Sequence, residues 1–216
     1  MVGSRDYWDD KIDGKFNVAI AKRQPGSSFK PFTYATLFTK GFGTGTVFFD
    51  VKTDFGNKYT PLDYDGKFRG PVTVRNALSN SLNIPAVAAQ YLANTEDTLT
   101  LLNKMGIDYL NKDLAAKNGL ALALGVEEIT PLDMVRAYSV FANNGVKRDI
   151  GGIMRITTDR SEEIWKRTIT SGEEVLDPQA AYLISNILSD NNARPSGWTN
   201  LVIPNQTVAV KTGTSI

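Results

Sequence analysis

A serine and a lysine three residues apart, Ser27 and Lys30, stand at the start of a predicted helix. Residues with this spacing share one helix face, so the lysine amine is placed to take the proton of the serine hydroxyl. The helix N-terminus favours the negative charge that then develops. The lysine must be desolvated or crowded by other charges, so that part of it is neutral. The alternative interpretation is a capping serine beside a solvated lysine.

A second group, Lys211-Thr212-Gly213-Thr214, is the only Lys-Thr-Gly in the chain and belongs to a predicted terminal strand. Its cation and hydroxyls are suited to binding a carboxylate. The glycine has no Cβ, so a substrate backbone has room to lie alongside the strand. The alternative interpretation is an edge strand that a lysine protects from aggregation.

Serine sites that use these two groups take a Ser-x-Asn as their third element. The sequence offers two, Ser-Leu-Asn at 81–83 and Ser-Asp-Asn at 189–191. The second is the literal match, but it ends a predicted helix in a polar loop, where such residues are ordinary turn formers. It also lies close to Lys211 in the chain, whereas 81–83 lies in the helical middle. We therefore expect Ser81 and Asn83 to belong to the site.

The composition removes the other common routes to acyl transfer. The 216 residues include no histidine and no cysteine, which excludes a Ser-His-Asp triad, a thiolate nucleophile and a Cys-ligated zinc. The base must be a lysine, a carboxylate or a tyrosine.

A net charge of +1 argues against a nucleic-acid partner. The longest apolar runs, such as 119–126, are too short to span a bilayer.

The elements that must position these residues are mostly helical, between ends that carry strands. Apolar residues recur at helical spacing from 29 to 38. Residues 42–70 show no hydrophobic periodicity and indicate a long surface loop. Further helices are predicted at 72–79, 85–93, 97–105, from Thr130-Pro131 to 144–145, and at 177–188, with a hairpin at 153–158 and 163–169. Residues 1–3 and 207–210 have the composition of strands without partners, so we expect a chain cut at both ends, less stable and less active than a longer one.

In this order, the three motifs resemble those of the serine penicillin-recognising family, most closely the transpeptidase domain of bifunctional class A penicillin-binding proteins. The likeness extends over the stretches 1–7, 23–32, 70–78, 83–87, 124–125, 130–132 and 141–145. It implies an α+β fold of the β-lactamase/DD-transpeptidase type, in which a helical subdomain packs against an antiparallel sheet, here incomplete. We expect one partial transpeptidase domain over 1–216, with its central helical region at about 71–190.

The resemblance also implies a reaction, acyl transfer from a peptidoglycan stem peptide that ends in D-Ala-D-Ala. Ser27 would attack the penultimate carbonyl with Lys30 as its general base, and D-alanine would leave. Ser81 would relay a proton to the leaving amine. Asn83 would hold the side-chain amide of the donor and orient Lys30.

Substrate binding would fall to the C-terminal motif. Lys211, Thr212 and Thr214 would anchor the terminal carboxylate, with Gly213 between them. Backbone N–H groups of Ser27 and Thr214 would form the oxyanion hole. The amine of a second stem peptide would then take the acyl group, whereas a β-lactam would acylate the serine and remain there. The resemblance implies neither a cofactor nor a metal.

The full-length protein is expected outside the cytoplasm, in the periplasm or on the outer face of the plasma membrane, with a glycosyltransferase domain and a membrane anchor upstream. The sequence has no Glu-x-x-Leu-Asn segment of the kind that class A β-lactamases use to deacylate, which argues against rapid antibiotic hydrolysis. Three alternatives stay open: a penicillin sensor or scaffold that joins no peptides, a serine β-lactamase, and a D,D-carboxypeptidase.

Overall fold

The computed structural model describes residues 4–195 and 197–214, so the predicted strand at 1–3 lies outside the described residues. The helices within these ranges are α1 (Lys30–Thr39), α2 (Val74–Ser79), α3 (Asn83–Ala93), α4 (Thr95–Met105), α5 (Lys112–Asn118), α6 (Pro131–Ala142) and α7 (Pro178–Ser189). The strands are β1 (Val47–Asp50), β2 (Gly70–Thr73), β3 (Val146–Lys147), β4 (Arg155–Thr157), β5 (Glu163–Lys166) and β6 (Glu173–Glu174). They pair antiparallel as β1–β2, β3–β6 and β4–β5.

Helix α1 runs through the middle of the core, and every residue from Lys30 to Phe38 is buried. It packs against α3, α4 and α7. The ring of Phe32 contacts the rings of Phe29, Tyr138 and Phe141, with centroids 5.4–5.7 Å apart. Each fully buried phenylalanine contributes about 2 kcal/mol relative to an exposed one. The apolar helix therefore carries its single lysine into the interior.

Capping residues set several helix ends, as the sequence predicts. The side chain of Thr130 accepts a hydrogen bond from the backbone N–H of Asp133, and Pro131 occupies the first turn of α6. Asp177 caps α7 in the same way, by accepting from Gln179 N–H. The predicted hairpin is confirmed as β4 and β5, although both strands are shorter than the sequence suggests.

Two stretches differ from their predictions. The aperiodic region 42–70 contains β1 and ends at β2, and Val72 pairs with Phe48 in that ladder instead of beginning a helix. Residues 110–124, for which no element was predicted, contain α5 and a 3-10 helix over Gly119–Leu124. Both features depend on tertiary contacts, which periodicity along the chain does not encode.

The predicted terminal strand at 207–210 is wrong, because residues 202–214 form no strand in the described structure. A strand needs a neighbour, and the segment lies instead against the end of α7 and the loop after it. Val210 N–H donates to the carbonyl of Leu188 at 3.0 Å, and the Arg194 guanidinium donates to the carbonyl of Val208 at 3.1 Å. The extended segment is therefore anchored without a sheet.

Candidate active site

Ser27 lies in a 3-10 helix, Gly26–Phe29, that leads directly into α1. The turn is fixed by contacts on either side of the serine. Ser28 Oγ donates to the carbonyl of Pro25 at 2.7 Å, and the Tyr138 hydroxyl donates to the carbonyl of Ser28 at 2.7 Å. The Ser27 side chain is half-buried, so the fold presents a hydroxyl on a rigid turn at the edge of the core.

Lys30 begins α1, one turn after Ser27, and is fully buried. Its amine donates to the Ser81 carbonyl at 2.6 Å, to Asn83 Oδ1 at 2.7 Å and, at 3.4 Å, to Ser81 Oγ. Burial lowers the pKa of Lys30 well below its ordinary value, and the charge of Lys211 lowers it further. A buried amine that gives up its proton this easily is suited to act as a base.

Ser81 and Asn83 reach the site from the junction between α2 and α3. Ser81 has a φ of 57°, the left-handed region that a serine seldom adopts, and Asn83 is the first residue of α3. This strained turn directs both the carbonyl and the hydroxyl of Ser81 towards the Lys30 amine. Strain of this kind costs about 1–3 kcal/mol and is common at functional sites.

The C-terminal segment completes the arrangement. Lys211 Nζ donates to Ser81 Oγ at 2.8 Å and to the carbonyl of Thr212 at 2.8 Å. The Ser81 hydroxyl therefore lies between two amines. Burial lowers the pKa of Lys211 to about 7. Thr212 is half-buried, whereas Gly213 and Thr214 are exposed and available to a ligand.

Glycines let three backbone segments approach one another beside Ser27. A Cβ placed on Gly26 would lie 2.1 Å from the carbonyl oxygen of Thr214, and one on Gly125 would lie 2.2 Å from the carbonyl oxygen of Gly26. Both glycines have positive φ, 54° and 69°. Gly26 N–H also donates to the Gly125 carbonyl at 3.2 Å. We call Gly26, Gly125 and the backbone of Thr214 the glycine stack. These contacts place the Lys-Thr-Gly-Thr segment directly against the serine turn.

The structure brings together Ser27, Lys30, Ser81, Asn83 and the segment 211–214, although they come from distant parts of the chain. The rejected group at 189–191 makes helix-end contacts instead. Ser189 Oγ donates to the carbonyl of Asn186 at 3.2 Å, Asp190 pairs with Arg75 at 3.1 Å, and Asn191 Oδ1 accepts from Arg194 at 2.6 Å.

Sequence reasoning missed two residues that contact this site. Tyr138 holds the carbonyl of Ser28, and Asp63 accepts a hydrogen bond from the backbone N–H of Asn83. Tyr138 carries no signal beyond its helical position. Asp63 lies in the aperiodic stretch 42–70, where an aspartate is an ordinary loop residue. No pattern along the chain distinguishes either of them.

The family model of the penicillin-binding protein transpeptidase domain matches residues 1–216. Penicillin-binding protein 1A of Neisseria meningitidis is 31% identical over 226 residues, which is 100% of this chain and 27% of that protein. Penicillin-binding protein 2D of Bacillus subtilis is 31% identical over 195 residues, 88% of this chain and again 27% of the relative. The chain thus spans about a quarter of the length of these relatives.

Solved structures show the same fold. Penicillin-binding protein 1A from Haemophilus influenzae superposes with a TM-score of 0.72 at 27% identity, over 82% of this chain and 31% of that one. The imipenem acyl-enzyme of penicillin-binding protein A from M. tuberculosis gives a TM-score of 0.81 at 19% identity, over 96% and 52%. The second likeness bears on the fold alone. The α+β, transpeptidase-like fold expected from the sequence is confirmed.

Proposed function

Because this chain belongs to the penicillin-binding protein transpeptidase family, we propose that it is a peptidoglycan D,D-transpeptidase that works through an acyl-enzyme on Ser27. One observation carries the proposal. The buried amine of Lys30 contacts Asn83 and both the carbonyl and the hydroxyl of Ser81, and the Lys211 amine contacts the same hydroxyl. Three motifs far apart in the sequence therefore meet one helical turn from the nucleophile.

The chemistry follows from these contacts. Neutral Lys30 takes the proton of the Ser27 hydroxyl as its oxygen attacks the penultimate carbonyl of the donor, forming a C–O bond. The C–N bond then breaks, and the leaving amine takes a proton from Ser81, which Lys30 replaces with the proton that it took from Ser27. The Ser81 hydroxyl suits this relay, since it lies 3.4 Å from the amine of Lys30 and 2.8 Å from that of Lys211. Attack by an acceptor amine reverses the steps and frees the serine.

Donor binding is proposed for the C-terminal segment. Lys211 in its cationic form, together with the hydroxyls of Thr212 and Thr214, would hold the terminal carboxylate. A carboxylate beside Lys211 would also raise its pKa from about 7, so binding and protonation would support each other. Gly213 lets this extended segment pass close to the serine turn, since a Cβ there would lie 2.5 Å from the carbonyl oxygen of Pro25. The backbone N–H groups of Ser27 and Thr214 are proposed as the oxyanion hole.

A two-substrate assay tests the proposal. The protein is given a peptide ending in D-Ala-D-Ala and an acceptor amine, and both D-alanine release and the joined peptide are measured by mass spectrometry. Joined peptide supports the transpeptidase. D-alanine without a joined product indicates a D,D-carboxypeptidase, covalent penicillin without either product indicates a sensor, and turnover of a chromogenic cephalosporin well beyond one equivalent indicates a β-lactamase. Each of these three outcomes would contradict the proposal.

Replacing Ser81 by alanine removes the hydroxyl between the two amines. We expect the rate constant of penicillin acylation to fall by roughly 10²–10³-fold, as for the loss of a proton-transfer group. Ser189→Ala is the matched control, because its hydroxyl only bonds its own helix, and we expect a change of less than about twofold. Equal acylation rates in the two variants would show that Ser81 is not the serine of the third motif.

The place of action is also a proposal. None of the helices in the ranges 4–195 and 197–214 is both long and apolar enough to cross a bilayer. We propose that the chain acts on the outer side of the plasma membrane, where its substrate lies. In the full-length protein, a glycosyltransferase domain and a membrane anchor would precede it, as the resemblance to class A proteins implies.

A further inference from the structure

A buried carboxylate that the mechanism above does not use lies directly behind Asn83. Asp63 Oδ1 accepts from the backbone N–H of Asn83, and the carbonyl of Leu62 accepts from Asn83 Nδ2 at 2.7 Å. The remaining side-chain atom of this asparagine, Oδ1, accepts from the Lys30 amine at 2.7 Å. One loop therefore holds Asn83 by both its main chain and its side chain, with the oxygen turned towards the proposed base.

Asp63 is itself held in place by charge. Its side chain is 0% exposed, and so is that of Asp50, while Arg69 lies 3.3 Å from the first carboxylate and 3.7 Å from the second. Burial together with the hydrogen bond and charge of Asp63 raises the pKa of Asp50 to about 6. Two buried carboxyl groups beside one guanidinium are costly to desolvate, and apolar residues of similar size often stabilise a core at least as well. We therefore infer that these buried charges serve the function of the site and not the stability of the core.

We propose that Asp63 is a positioning residue of the acyl-transfer site, which fixes Asn83 against Lys30 and supplies a negative charge near the Lys30 amine, on which the positive charge of Lys211 also acts. The inference rests on the proposed function, because it assigns Lys30 the role of base. It adds a residue from outside the three motifs, on a loop that precedes α2.

The electrostatics support this role. Lys211 lowers the pKa of Lys30, whereas Asp63 acts in the opposite direction and raises it. The groups that face Asp63 come from several elements: Asp50 from β1, Arg69 from the same loop, and Tyr34 from α1, whose pKa burial and Asp63 raise. Without the carboxylate, Lys30 would lose its proton at a still lower pH. Asp63 thus sets both the place and the protonation of the base.

The test compares Asp63→Asn, Asp63→Ala and a control, Asp65→Asn. Asp65 is exposed and pairs with the same Arg69 at 2.9 Å, so its neutralisation removes a carboxylate from this arginine without touching Asn83. Two quantities are measured: acylation by a fluorescent penicillin, and the pH midpoint of Lys30 from the ¹³Cε shift of labelled lysine without substrate. The Lys30 signal is identified by its absence in Lys30→Met.

Asp63→Asn keeps an oxygen acceptor for Asn83 but removes the charge. We expect the Lys30 midpoint to fall by roughly half a unit to one unit. Asp63→Ala is expected to lower the midpoint likewise and to slow acylation by about tenfold or more, because the Asn83 N–H loses its partner. Acylation in the asparagine variant should recover to within about threefold of the unaltered protein, and Asp65→Asn should change neither quantity.

An unchanged midpoint in Asp63→Asn would overturn the proposal, and so would an alanine variant that acylates at the normal rate. Slower acylation without a midpoint shift would show a merely structural residue, which also overturns it. If the alanine variant does not fold, the asparagine variant decides through its midpoint. An unaltered protein that takes no penicillin would refute the proposed function instead, while the substrate-free midpoint still reports on Asp63.

Discussion

Replacing Ser27 by alanine is expected to abolish covalent labelling by a fluorescent penicillin, to below about one per cent of the unaltered protein. The reason is chemical, because the acyl group needs an oxygen to which it can bond. The turn itself should survive. Its hydrogen bonds come from Ser28 and Tyr138, and neither involves the hydroxyl of Ser27. Mass spectrometry of the labelled protein, with peptide mapping, gives the site directly.

Ser28→Ala is the matched control for this experiment. The two serines are adjacent, but the hydroxyl of Ser28 donates to the carbonyl of Pro25 at 2.7 Å and is committed to the turn. We expect the control to keep labelling within about threefold, because the backbone N–H of Ser28 also donates to the Pro25 carbonyl at 3.3 Å and the Tyr138 contact remains. Label retained in Ser27→Ala, or lost only in Ser28→Ala, would assign the nucleophile to another residue and would end the proposed mechanism.

Two substitutions of Lys30 separate its role as a base from its role as a charge. Lys30→Met has a similar length but no amine, and Lys30→Arg keeps a cation that does not lose its proton in proteins. We expect both to slow penicillin acylation by roughly 10²–10⁴-fold, the usual contribution of general-base catalysis. An arginine variant that acylates normally would show that the lysine serves as a charge only. Lys40→Met, which alters an amine at the exposed end of α1, should have little effect.

The same argument predicts the pH dependence of acylation. Burial and Lys211 lower the pKa of Lys30, so the neutral base is present well below the pH at which free lysine titrates. The rate rises as pH increases through the pKa of Lys30. Lys211 loses its cation as pH increases through its pKa of about 7, which weakens the binding of an anionic penicillin. A bell-shaped profile of the second-order rate constant is expected; a profile without a falling limb would argue against Lys211 as the anchor.

Whether the sequence predicts a residue of this site depends on how far apart in the chain its contacts lie. Ser27 and Lys30 are found from local helical spacing, and Thr130 and Asp177 from capping chemistry. The position of Ser81 beside Lys30 follows from the family resemblance, because the two are far apart in the chain. Asp63 lay beyond both routes, since its role depends on a tertiary contact made by an aperiodic loop.

Strands proved harder to predict than helices, for a physical reason. A helix satisfies its hydrogen bonds within one segment, so caps and periodicity at α6 and α7 suffice. A strand depends on a neighbour, so β-branched composition at 207–210 indicates the tendency without ensuring the structure. The pair β1–β2 shows the converse, a ladder that includes a proline and a glycine and that composition alone did not indicate.

The glycine stack has a consequence for how this protein can evolve. At Gly26 and Gly125, every other amino acid would place a Cβ within about 2 Å of a neighbouring carbonyl oxygen and would also have to adopt positive φ. Selection for a working site is therefore expected to keep glycine at both positions. Heritable variation that changes the reaction with an antibiotic is expected at other positions around the site, where substitution leaves this backbone contact intact.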